Sequence, residues 1–157
     1  MVTQIEGKLN ATGMRIALVA SRFNQLIVGA LLHGAIDTLR QHGASDADIT
    51  EIRVPGAWEL PLAVQQAARS KRYDAIVALG TVIRGATAHY DIIVNTVSSR
   101  LAATAIETNT PVTLGVLTVD TVEQAIERAG TKLGNKGAEA ALAAIEMVSL
   151  ARQLDKT

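Results

Sequence analysis

The feature that most constrains this chain is the alternation of short, strand-length runs rich in Ile, Val, Leu and Ala with longer segments whose apolar residues recur at helical spacing. The runs are Met14 to Ala20, Ile49 to Val54, Ala75 to Leu79 and Val112 to Leu117. Each is the length of a strand, and the continuous apolar run Ala75 to Leu79 suits a strand buried on both faces of a sheet. Between the first two runs, Leu26, Ile27, Ala30, Leu31, Ala35 and Leu39 form a helical stripe that Gly43 stops, with Asn24 or Ser21 available as its N-cap. Glu59-Leu-Pro61 opens a second helix that runs to about Ser70. Ile93, Val97, Leu101 and Ala105 belong to a third, from Tyr90 to Thr108, which Pro111 closes. Asp120-Thr-Val-Glu123 reads as a capping box for a short helix ending near Arg128. The Gly-rich joint Gly130 to Gly137 then leads into a last helix, Ala138 to about Gln153. This βαβαβαβα order predicts a three-layer α/β/α sandwich around a mostly parallel four-stranded sheet, with right-handed crossovers. We read one domain over 1–157, with a short N-terminal arm at 1–13 in which Ile5 to Leu9 is an expected edge strand.

Composition narrows the chemistry. Fifteen basic residues balance fifteen acidic ones, so no strong field draws nucleic acid or an anionic membrane. Cysteine is absent and only three histidines are present, which removes thiolate catalysis and leaves little for a metal, so a metal-free protein is expected. The apolar runs are too short for a bilayer and no signal peptide is visible, so a cytoplasmic protein is the expectation.

In a parallel sheet, ligands sit at the carboxyl ends of the strands. That rule selects Ser21 to Asn24, Pro55 to Glu59, Gly80 to His89 and Leu117 to Asp120. The only Phe and the only Trp, Phe23 and Trp58, both fall in these loops, although a chain with 3% aromatics would ordinarily place them in its core. Gly80 is read as ending the third strand. The small residues Gly85, Ala86 and Thr87 then expose backbone N–H groups between Arg84 and His89, an arrangement that either merely connects strand to helix or cradles an anion and moves a proton. It is not a Walker loop, because Ala86 and Thr87 stand where Lys and Ser/Thr are required, and no Gly-x-Gly-x-x-Gly follows a strand.

Taken jointly, Ser21-Arg-Phe-Asn, Val54-Pro-Gly-Ala-Trp-Glu-Leu-Pro, Ala78-Leu-Gly-Thr-Val-Ile-Arg-Gly-Ala-Thr-Ala-His-Tyr-Asp, Gly115-Val-Leu-Thr and the stretch Glu123 to Gly137 resemble the signature segments of the lumazine synthases, in order and spacing, from about Arg15 to Leu154. The resemblance implies a flavodoxin-like fold and a transferase of riboflavin biosynthesis. That enzyme condenses 5-amino-6-(D-ribitylamino)uracil with 3,4-dihydroxy-2-butanone 4-phosphate to 6,7-dimethyl-8-ribityllumazine, using no cofactor or metal. By the same resemblance Phe23 stacks on the pyrimidine, and Ala57, Trp58 and Glu59 receive the ribityl chain and ring. Val82 and Ile83 line the uracil edge, Gly85, Ala86 and Thr87 hold the phosphate, and His89 transfers protons. Arg128 and Lys136 match basic residues that reach the site from a neighbouring subunit.

Leu114 stands where the family usually has Phe, which removes a ring from the wall a neighbour would contribute. The implied partners are the two small-molecule substrates, further copies of the chain in a pentamer or an icosahedral 60-mer, and riboflavin synthase. Other readings of these residues remain: Arg128 as a cation at a helix end, Glu59 as a first-turn acid, Lys136 and Arg84 as surface charges, and His33 and His42 as structural. For the whole chain, the alternatives are a flavin- or nucleotide-binding module of flavodoxin type and a shell-forming scaffold.

Overall fold

In the computed structural model, which describes residues 1–156, four strands form one all-parallel sheet: β1 (Ile16–Ser21), β2 (Ile49–Val54), β3 (Ala75–Ile83) and β4 (Val112–Val119), in the order β2-β1-β3-β4. The two central strands are the two most apolar runs. All of β1 is buried, and so is β3 up to Val82. Because side chains alternate across a strand, Ile16, Leu18 and Ala20 face one layer and Ala17 and Val19 the other. The first layer is α1 (Gln25–Gln41) and α5 (Lys136–Asp155), with Ala125 of α4 (Val122–Glu127) at its margin. The second is α2 (Leu60–Arg69) and α3 (His89–Thr108), which supply Leu60, Val64, Val97 and Leu101.

Helices α1 and α5 touch backbone to backbone, since a Cβ at Gly137 would overlap the carbonyl of Leu31. Asn135 fixes that approach. Its Nδ2 donates to Ala30 O at 3.0 Å and its Oδ1 caps α5 by accepting the Ala138 N–H at 3.1 Å.

Several expectations shift. Gly80 does not end β3; it lies inside it, where a Cβ would come within 3.1 Å of Ser21 Oγ and 3.2 Å of Leu60 Cδ1. The glycine answers a close approach between layers, not a turn. Residues Ile5 to Leu9 form no strand. The arm lies instead along α5, where Ser149 Oγ accepts the Lys8 N–H at 2.9 Å and Gln153 Nε2 donates to Glu6 O at 2.7 Å. The capping box is one residue later than expected: Thr121 Oγ1 accepts the Gln124 N–H and Gln124 Oε1 accepts the Thr121 N–H. Asp120 is not the cap because its carboxylate is taken by Arg84. The Gly-rich joint contains a small antiparallel hairpin, β5 (Ala129–Thr131) and β6 (Gly134–Asn135).

Candidate active site

The strand order places β1 next to β3, and the chain leaves these two strands toward opposite sides. A crevice opens between the loops at their carboxyl ends. The loop after β1 is zipped to the end of β2, with Arg22 N–H donating to Val54 O at 2.7 Å and Phe23 N–H to Pro55 O at 3.1 Å. This brings Phe23 to the short 3₁₀ turn Ala57–Glu59 that carries Trp58. Asn24 then turns the chain into α1 from a left-handed conformation (φ 64°, ψ 46°), one that Asn tolerates better than most residues. It does not cap α1 through its side chain, contrary to one of the expected roles. Its Nδ2 reaches across the crevice to Thr81 O at 3.2 Å.

Six of the expected residues, Phe23, Ala57, Trp58, Val82, Ile83 and His89, line a single cleft of about 250 Å³. Asn24, Gly56 and Thr81, which lie in the selected loops but have no expected substrate role, and Ile93 of the α3 stripe complete it. Phe23 is 72% exposed and Trp58 53%, so the chain displays both large rings at the cleft and spends neither on its core. Glu59 adjoins the cleft at the end of the same turn. Beneath the crevice, Ser21 Oγ and Thr81 Oγ1 are the buried side-chain polar atoms without a hydrogen-bond partner among the described residues.

At the rim, Gly85, Ala86, Thr87 and Ala88 are exposed. Ala88 gives α3 no side-chain cap, and the nearest substitute is Thr87 Oγ1, 3.4 Å from the His89 N–H. The first N–H groups of a twenty-residue helix are thus largely free to meet an anion. A Cβ on Gly85 would meet nothing within 4 Å, so the chain's own packing does not require the glycine. His89 is the first residue of α3 instead of lying in the loop before it. Arg84 stacks 4.2 Å over the Tyr90 ring and pairs with Asp120 at 2.8 Å and Asp91 at 3.6 Å. The hydrogen bond to Asp120 holds its guanidinium above its ordinary pKa, against some desolvation and with help from Asp91.

Arg128 and Lys136 do not reach this cleft within the chain. They line a second hollow of about 300 Å³ along the outer edge of β4, with Leu133 and Glu139. Arg128 Nη1 donates to Gln124 O at 3.0 Å and lies 3.6 Å from Glu127, so its helix-end role is real whatever else it does. Leu114 sits earlier on β4, opposite Ala78, 46% exposed and lining neither hollow. His42 caps its own helix through Nδ1 and Thr38 O at 2.7 Å, and His33 pairs with Asp37 at 3.3 Å; both are structural. Among the described residues no group of three or more His, Cys, Asp and Glu could hold a metal ion, and no helix is long and apolar enough to cross a membrane.

Residues 13–152 match the family described as 6,7-dimethyl-8-ribityllumazine synthase. A protein named 6,7-dimethyl-8-ribityllumazine synthase from Aquifex aeolicus (strain VF5) is 55% identical over 149 residues, covering 95% of this chain and 97% of that one. One of the same name from Chlorobium chlorochromatii (strain CaD3) is 53% identical over 153 residues, covering 98% and 99%.

Proposed function

The chain belongs to the 6,7-dimethyl-8-ribityllumazine synthase family, and on that premise we propose how its two hollows divide the work. The chain is a transferase of riboflavin biosynthesis that condenses 5-amino-6-(D-ribitylamino)uracil with 3,4-dihydroxy-2-butanone 4-phosphate. An amine condenses with a ketone and expels one water, phosphate leaves, and ring closure expels a second water. The flavin- or nucleotide-binding alternative is not favoured.

In this reading Phe23 and Trp58 hold the flat aminouracil, with Val82 and Ile83 along its edge and Ala57 and Glu59 toward the ribityl chain. Gly85, Ala86 and Thr87 receive the phosphate at the start of α3. His89, on the same cleft, moves the protons. What carries the reading is the display of Phe23 and Trp58 on the cleft that also contains His89. Holding two substrates in register supplies roughly 7 to 11 kcal/mol, whereas one imidazole is worth about 10²- to 10⁴-fold, so alignment contributes more to the rate than proton transfer does.

Arg128, Lys136 and Leu114 act on the cleft of a neighbouring copy. Two observations support a shared site: the two hollows share no lining residue, and Leu26, Ile92 and Ile106 are 86%, 58% and 83% exposed beside the aromatics and along α3. The size of the assembly, a pentamer, and its further partners, a closed 60-chain shell and riboflavin synthase, are taken from the family resemblance. The test is complementation. Phe23→Ala and Arg128→Ala chains, each impaired alone, are mixed, dissociated and reassembled, and lumazine formation is followed at a butanone phosphate concentration where the Arg128→Ala chain alone is slow. In a ring with every site between two neighbours, about a quarter of the interfaces receive both intact halves and activity returns to that order. An active monomer, or a mixture no better than its parts, refutes sharing.

A further inference from the structure

The rim loop has almost no side chain with which to hold its own shape. Gly85, Ala86 and Ala88 offer none, and Thr87 makes only the 3.4 Å contact to the His89 N–H. Its conformation is therefore set by its two ends. One end is α3. The other is Arg84, whose N–H donates to Val119 O at 2.9 Å. Its guanidinium lies on the Tyr90 ring at 4.2 Å, with Nε 2.8 Å from Asp120 and Nη1 3.6 Å from Asp91. Tyr90 and Asp91 belong to the first turn of α3, and Asp120 begins the turn after β4. One side chain thus ties three segments together. The pairs are largely exposed and add little to folding. A planar fork that stacks and pairs at once fixes geometry, which a lysine in its place would not.

We propose that Arg84 is a positioning residue for the Gly85 to Ala88 loop: it holds the loop's backbone N–H groups toward the phosphate and offsets the charges of Asp91 and Asp120 beside it. The proposal rests on the reading of Gly85, Ala86 and Thr87 as the phosphate site. Arg84 need not touch the phosphate to act, because its face is on Tyr90 and its Nε is committed to Asp120.

The test is steady-state kinetics of the assembled enzyme with each substrate varied, and inorganic phosphate as competing probe. Arg84→Gln should raise KM for the butanone phosphate by about tenfold or more and weaken inhibition by inorganic phosphate in parallel. KM for the aminouracil and Tm should hardly move. Arg84→Lys should recover only part of the loss, and Tyr90→Leu, which removes no charge, should shift KM for the phosphate substrate in the same direction by less. An unchanged KM for that substrate, an equal rise in both KM values, or full rescue by lysine would overturn the proposal. Gly85→Val separates the two layers of argument. If it weakens inorganic phosphate while Arg84→Gln does not, only the positioning role falls; if neither does, the phosphate site is elsewhere.

Discussion

The two ends of the sheet are finished in opposite ways. At the amino end the chain satisfies itself. Asp74, just before β3, accepts from Arg15 N–H at 2.7 Å and from the Arg15 guanidinium at 3.2 Å, and lies 3.6 Å from Arg152 of α5. Lys71 Nζ donates to Thr108 O at 2.7 Å, and Thr110 Oγ1 to the same carbonyl at 3.1 Å. At the carboxyl end, by contrast, two buried hydroxyls lack partners among the described residues, a helix starts without a side-chain cap, and two large rings face solvent. Unspent hydrogen-bonding capacity and uncovered apolar surface both cost stability, and here they coincide. The amino end is thus built for folding, and the carboxyl end for something the chain itself does not supply.

Substitutions at the two ends should therefore separate cleanly. The largest effect belongs to His89. His89→Ala should slow lumazine formation by about 10²- to 10⁴-fold while alignment keeps activity measurable and Tm stays put. Complete loss with unchanged substrate binding would show that His89 does more than move protons. Next is Arg128→Ala, expected to weaken the enzyme for the butanone phosphate by about 1.5 to 3 kcal/mol, the worth of a charge-assisted contact. An unchanged apparent affinity together with a lowered Tm would return Arg128 to its helix-end role alone.

The smallest effect lies at the other end. Asp74→Asn should leave kcat and both KM values alone and lower stability by about 1 kcal/mol at neutral pH. Burial would raise the Asp74 pKa, but the hydrogen bonds and charge of Arg15, with Arg152 behind, win and hold it below the ordinary carboxylate value. A depressed folded-state pKa means stability that is present above the unfolded value of about 3.9 and lost as pH falls through the folded one. The gap in Tm between wild type and Asp74→Asn should accordingly close below about pH 4. A gap that persists in acid would show that the pair is not its source.

The same contrast explains what the sequence revealed. Element order was legible because burial on both faces leaves unbroken apolar runs, as in β1 and β3, and because the α1 stripe keeps helical period. Where tertiary contact set the outcome, local signals misled. Gly80 carries the mark of a turn but answers Ser21 and Leu60. Asp120 looks like a cap but is drawn off by Arg84, and Ile5 to Leu9 is held by α5 instead of pairing as a strand. At the site, the gathering of Phe23, Trp58 and His89 into one cleft follows from strand order and loop position. Asn24 and Thr81 fall in loops selected the same way, but the hydrogen bond that joins them was not legible, since it links residues 57 positions apart.

Trp58 is the only tryptophan of the chain, and it stands half-exposed on the wall of the cleft, not in the core. Excited where tyrosine does not absorb, the protein's fluorescence comes from that one indole. Its emission therefore records what lies against Phe23 and His89 and is blind to most of the rest of the fold. The molecule carries a built-in optical reporter at the place where its substrate is proposed to sit, with no label to attach.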